Sequence, residues 1–225
     1  MATRPRPRPQ PRAPLTRERV LRAAITLADE GGIDALSMRK LGQELGVEAM
    51  SLYNHVTNKD DLLAGIVELV ASEIEAPSDA VDWKTAISQS AMSAHSVLLR
   101  HRWAAGLTMR VTSVSSARLR WHECVLRTLR EAGFSADLTH HAYHALESHI
   151  MGFTLWQVSL PFETRAELQD MAKGGFLRDF PADDHPYLLE HIQQHLGESK
   201  PDGRTEFEFG LDLILDGLER LRDTA

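Results

Sequence analysis

The sequence predicts an all-α protein, with a small N-terminal three-helix unit and a larger helical body. Three observations predict this. Apolar residues recur at three- and four-residue spacing along most of the chain, and no stretch alternates with period two for long enough to form a strand. Residues 37–62, SMRKLGQELGVEAMSLYNHVTNKDDL, hold two short helical patterns around Gly46 and Val47. The chain closes on TEFEFGLDLILDGLERLR, a helix pattern that is apolar on more than one face.

The elements follow in order. Residues 1–14 alternate Arg with Pro, which favours extended, solvated chain and predicts a disordered basic arm. Residues 16–31 read as an amphipathic helix with Thr16 as N-cap, with Val20, Ala24, Leu27 and Ala28 inward and Gly31-Gly32 as the stop. Residues 58–75 form a long helix, capped by Asn58 and ending before Pro77, that links the first unit (residues 15–62) to the body (residues 63–225). Asp82 caps a helix to about Leu99, and the serines at 113–116 cap another to about Glu131. Residues 137–158 are helical and apolar on several faces, which requires burial on more than one side. The segment 160–204 is broken by prolines and glycines and holds one or two short helices. In the last helix one stripe is Phe207, Leu211, Ile214, Leu218 and Leu221, and a neighbouring stripe is Phe209, Leu213 and Gly217.

Residues 37–56 carry the first functional signal. Leu41 and Leu45 face inward together and are met by Leu52 and Val56. Gly42 sits where the two helices cross, and Gly46 follows the last apolar residue, where a left-handed residue ends a helix at low cost. This is a helix-turn-helix, whose second helix lies in the major groove of DNA. Its outer face carries Ala49, Met50, Ser51, Tyr53, Asn54 and His55. Short groups there reach base edges and thymine methyls, whereas Tyr53 and His55 reach phosphates. Arg39 is long enough to grip a guanine edge with two hydrogen bonds, and Lys59 at a helix start offers a phosphate both charge and backbone N–H groups. A plain helical hairpin with a polar surface is the alternative.

From about Leu15 to Val70 the chain resembles the tetracycline-repressor family of bacterial regulators, through RKLGQELGV followed by SLYNHVTNKDDLL. The resemblance implies base contacts by Arg39 and residues 49–51, and phosphate or thymine contacts by Ser51, Tyr53, His55 and Lys59. With Ala49 and Met50 in place, it implies an operator different from that of the tetracycline-binding members. FEFGLDLILDGLERL is similar to the closing helix of the family's C-terminal domain. That similarity implies a four-helix homodimer interface built with residues 140–158, for which Ile150, Met151, Thr154, Phe209, Leu213, Ile214, Gly217 and Leu218 are the candidates. Aligned through LLRHR, the family's metal-coordinating His position falls near Thr108, and Ser72 replaces another polar contact. A magnesium–tetracycline complex is therefore not the expected inducer.

Charge supports the same division of labour. The net charge is −7, yet residues 1–60 hold 10 Lys/Arg against 7 Asp/Glu, while 61–225 hold 15 against 25. Only the basic end suits an approach to phosphates. The single cysteine, Cys124, excludes an internal disulfide and, with no apolar run suited to a signal or membrane span, leads to an expected cytoplasmic location.

The body supplies candidates for a small-molecule cavity: Met92, His95, Leu99, Trp103, Met109, Trp121, His122, His144, Glu147, Phe153 and Trp156. Taken singly, each of these is as well explained by core packing. The expected inducer is apolar or aromatic. His140 and His144 share a helix face, but no Cys or intervening Glu completes a metal motif, so no metal and no cofactor are expected. Neither a Gly-rich nucleotide loop nor a nucleophile elbow is present, and no catalytic residue is assigned. The leading expectation is a repressor that binds a palindromic double-stranded operator as a homodimer and is released by a small molecule. A ligand-independent DNA-binding protein, and an enzyme or sensor with a vestigial reader, are the alternatives.

Overall fold

The computed structural model describes residues 14–111, 115–160, 167, 169–170, 180–196 and 204–224. The basic arm, apart from Pro14, lies outside the described residues. Among the described residues every regular element is helical: α1 (Arg17–Gly31), α2 (Met38–Leu45), α3 (Ala49–Leu52), α4 (Lys59–Ser72), α5 (Trp83–Arg100), α6 (Ala104–Arg110), α7 (Ser116–Glu131), α8 (Ala136–Ser159), α9 (Pro186–Leu196) and α10 (Glu206–Thr224).

Caps written into the sequence fix most helix starts. Thr16, Ser37, Asn58, Asp82, Ser115 and Ser135 each accept a hydrogen bond from a first-turn N–H of α1, α2, α4, α5, α7 and α8. Before α10, Thr205 Oγ1 accepts from Glu208 N while Glu208 Oε2 accepts from Thr205 N, a reciprocal capping box.

The first four helices form the N-terminal unit. Val20, Ala24 and Ala28 of α1 pack on Leu41, Leu52, Val56, Leu62 and Ile66, all nearly inaccessible to solvent. Gly65 of α4 lets α1 come close, since a Cβ there would meet Leu21 Cδ2 at 2.6 Å. The body is a bundle in which α5 packs on α7, α8 and α10, and α8 also meets α7 and α10. Trp83 and Phe134 meet edge to face at 4.9 Å, and Lys84 of α5 bridges to Asp216 and Glu219 of α10 at 2.6 and 2.7 Å.

Three findings refine the sequence reading. α3 is a single turn, continued by hydrogen-bonded turns through Val56. The seven-residue helix α6 had no expectation behind it: Gly106 and its short length leave too little periodicity to read. On α10 the buried stripe is Phe207, Leu211, Leu215 and Leu218, with Leu221 exposed and Ile214 half-buried. Positions 214 and 215 both border the core face, and contact with α5 and α8 selects Leu215.

Two polar junctions join unit and body. His101 Nδ1 lies 2.9 Å from Asp29 of α1, which also accepts Trp103 Nε1 at 2.7 Å. Glu68 of α4 accepts Ser115 Oγ at 2.6 Å and Ala117 N at 3.0 Å, so it closes the start of α7 from another element.

Candidate DNA-binding and effector sites

The reader is built around two glycines. Gly46 ends α2 in the left-handed region (φ 66°, ψ 37°). Its N–H donates to Gln43 O while Val47 N donates to Gly42 O at 2.9 Å, satisfying the last carbonyls of α2. A Cβ on Gly42 would fall 2.9 Å from Val47 O and 3.2 Å from Ala49 N. Those neighbours are backbone and cannot swing aside, so the crossing of α2 and α3 depends on this missing side chain. Leu52 and Val56 anchor the second helix inward. That leaves Met50 (75% exposed), Tyr53 and Asn54 on the outside, with Ala49, Ser51 and His55 half-buried beside them. Arg39 and Lys59 are also exposed.

A clamp holds this face against α1. Arg17 donates to both Asp61 oxygens at 2.6 and 2.9 Å and to His55 O at 2.9 Å. Asp61 accepts Thr57 N as well, and its own N–H is taken by Asn58 Oδ1, both at 2.8 Å. The hydrogen bonds from Arg17, helped by Thr57, hold the Asp61 carboxyl down at about 2. Of the eight sequence-predicted reader residues, Arg39, Met50, Tyr53, Asn54 and Lys59 are thus exposed, and Ala49, Ser51 and His55 are half-buried.

In the body a cavity of about 500 Å³ is walled by Val70, Ala71 and Ile74 from α4 and its C-terminal end, Ala94 and Leu98 from α5, Thr108 and Met109 from α6, Arg118, Trp121 and His122 from α7, and Glu147, Ser148, Ile150, Met151, Gly152 and Leu155 from α8. Its lining is mainly apolar, with Arg118, His122 and Glu147 as the charged or titratable members. Trp121 is oriented by a 2.9 Å hydrogen bond from its Nε1 to Ser90 Oγ. Burial pushes the His122 imidazole below its ordinary value, against a partial pull upward from Glu147. Burial likewise raises Tyr143 far above the usual phenol range, and the Glu147 carboxylate adds to the rise.

Of the sequence-predicted cavity residues, Met109, Trp121, His122 and Glu147 line it. The others lie elsewhere. His95 is buried, stacked on Phe207 at 3.8 Å and 2.8 Å from Thr154 Oγ1. Burial, with the nearby His149, lowers its pKa to about 4, so it is a neutral core histidine. Trp103 is committed to Asp29, Phe153 packs edge-on against His95 and Phe207, Met92 packs on the core, Leu99 is half-buried, and His144 and Trp156 are exposed. Arg118 and the α4 positions were not read as cavity members, and Thr108 was placed only by its alignment near the family's metal-coordinating His position. A single Arg among many carries no sequence signal, and α4 read as a linker rather than a wall. Among the described residues no three His, Cys, Asp or Glu groups gather as a metal site requires.

On the candidate subunit interface, Phe209 and Leu213 are more than half exposed, and Met151, Ile214 and Gly217 are half-buried. Ile150, Thr154 and Leu218 are buried in their own subunit: Ile150 lines the cavity, and Thr154 is hydrogen-bonded to the Ile150 carbonyl. Core packing already takes up these three. No helix among the described residues is long and apolar enough to cross a membrane.

Comparison with known proteins assigns both halves. Residues 20–66 match the family described as bacterial regulatory proteins, tetR family, and residues 76–222 match the tetracyclin repressor-like C-terminal domain. The chain belongs to the tetracycline-repressor family. It is 35% identical over 210 residues to the tetracycline repressor protein class D of Escherichia coli, covering 92% of this chain and 90% of that protein. It is 30% identical to the HTH-type transcriptional repressor DrrR1 of Streptomyces coeruleorubidus, covering 96% and 82%. Among solved structures it is similar to ActR of Streptomyces coelicolor in complex with actinorhodin, with a TM-score of 0.72, 30% identity and coverage of 92% and 96%. The tetracycline-repressor fold accounts for the division between reader and body: the protein is a DNA-binding regulator with a tetracyclin repressor-like C-terminal domain.

Proposed function

We propose that this regulator binds a palindromic operator as a homodimer through the ridge at Arg39 and residues 49–59, and that a small apolar or aromatic molecule in the 500 Å³ cavity releases it. One observation carries the reading: α4 belongs to both sites. Lys59 begins the helix beside the reader ridge, and Val70, Ala71 and Ile74 wall the cavity at its other end. The helix transmits a displacement over roughly 20 Å with little bending. A ligand that moves the cavity end therefore re-aims the reader. To shift the population it must prefer the non-binding arrangement by a few kcal/mol. The Glu68 junction gives α4 a second hold on α7, another wall of the same cavity.

Selection of bound fragments from genomic DNA, followed by anisotropy titration, tests this. Two chains per operator and displacement by a cavity ligand are expected. Arg39→Ala should cost about 1–3 kcal/mol and relax specificity at one base pair, whereas Lys59→Ala should weaken all sequences alike. Identical behaviour of the two variants would undo the split between base reading and anchoring.

A further inference from the structure

The cavity contains one carboxylate and one guanidinium, and they differ in how they are occupied. Glu147 has a polar neighbour, since His122 Nε2 lies 3.6 Å from its Oε1, and its charge acts on Tyr143. The Arg118 guanidinium makes no ion pair and no hydrogen bond among the described residues; it lines the cavity beside Trp121 and His122, and its charge acts on His122 and Tyr143. Arg118 and Glu147 do not pair with each other. His122, neutral at neutral pH because of its burial, adds no positive charge. A half-buried guanidinium facing an apolar chamber has five donors to satisfy, and a carboxylate can take two of them in parallel. The rest of the wall near it is flat or flexible and apolar: Trp121, Met151 and Leu155.

We propose that the effector is an aromatic acid, its ring system seated on Trp121, Met151 and Leu155 and its carboxylate paired with Arg118. The inference rests on the cavity being the effector site. It also connects ligand charge to the regulatory helix. Arg118 follows Ala117, whose N–H is held by Glu68 of α4, so an anion drawing on Arg118 pulls on the turn that α4 caps.

The test is a thermal-shift titration of the full chain with a naphthoic, an anthracene and an anthraquinone carboxylic acid, each beside its carboxamide. It uses the wild-type chain, Arg118→Gln, Arg118→Lys and Gly152→Phe. Gly152 is exposed at the edge of the cavity, and a Cβ there meets nothing within 4 Å, so a phenyl group placed at this position can narrow the chamber without a backbone clash. Acids should bind the wild type about tenfold more tightly than amides, the scale of one charge-assisted pair. Arg118→Gln should bring the acids down to the amide level, Arg118→Lys should restore part of the preference, and Gly152→Phe should abolish binding of both. Equal binding of acids and amides, lost in Gly152→Phe, would overturn the acid assignment while leaving the cavity as the effector site. An acid preference that survives Arg118→Gln, or a panel with no binder, would overturn it too. Acid binding intact in Gly152→Phe would remove the cavity reading itself. Circular-dichroism melts of each variant separate loss of binding from loss of fold.

Discussion

Gly42 and Gly46 do different jobs in the same turn, and substitution separates them. Gly46→Ala keeps the contacts but forces a Cβ into the left-handed region, at a cost of about 1–2 kcal/mol. Gly42→Ala drives a Cβ into the Val47 carbonyl and Ala49 backbone, so α3 must move and operator affinity should fall further than stability does. Urea unfolding and anisotropy on the same two variants check this. Both glycines were legible in the sequence, because a turn between two apolar helices leaves few residue types able to end the first one. The Arg17–Asp61 clamp was not legible, since a pair 44 residues apart has no local signature. With Asp61 held near 2, below its ordinary 3.8, its contribution is present above about pH 4 and is lost as pH falls towards 2. Arg17 is nearly half exposed, which keeps this to about 1 kcal/mol. Melting of the wild type and Asp61→Asn from pH 6 to pH 2 should show two curves that converge at the acid end.

Helix α4 is where the sequence told least relative to what the structure assigns. Its length and cap were readable from Asn58 and the Leu62–Val70 pattern, yet the same pattern does not say which apolar face meets the reader and which meets a cavity. Glu68 has no local sequence signature, and only the arrival of α7 from beyond residue 111 gives it Ser115 and Ala117. Glu68→Ala should leave the start of α7 with an unpaired N–H and destabilise the chain by about 1–3 kcal/mol. It should also blunt ligand release more than operator binding, measured as the ligand concentration that displaces half the bound DNA. An unchanged release curve would remove Glu68 from the coupling. On α10 two neighbouring stripes were readable from spacing, and the bundle decided their boundary by burying Leu215 and exposing Leu221.

The molecule as a whole separates charge as well as function, with residues 1–60 at a net +3 (10 minus 7) and residues 61–225 at −10 (15 minus 25). An acidic body keeps non-specific contact with DNA to the reader end. Phe209 and Leu213 on α10 are exposed, and we propose them as part of the surface a second copy covers. Phe209→Glu with Leu213→Glu should give monomers by sedimentation and weaken operator binding by at least about a hundredfold, because the second half-site is then no longer tethered. Retention of a dimer would place the interface elsewhere. The packing of Trp121 has a practical consequence. Its indole forms part of the chamber wall and is fixed there by Ser90, so an absorbing molecule that enters comes within contact distance of a native fluorophore. Occupancy should then register as quenched emission from the unlabelled chain, and Trp121→Phe should silence that optical signal.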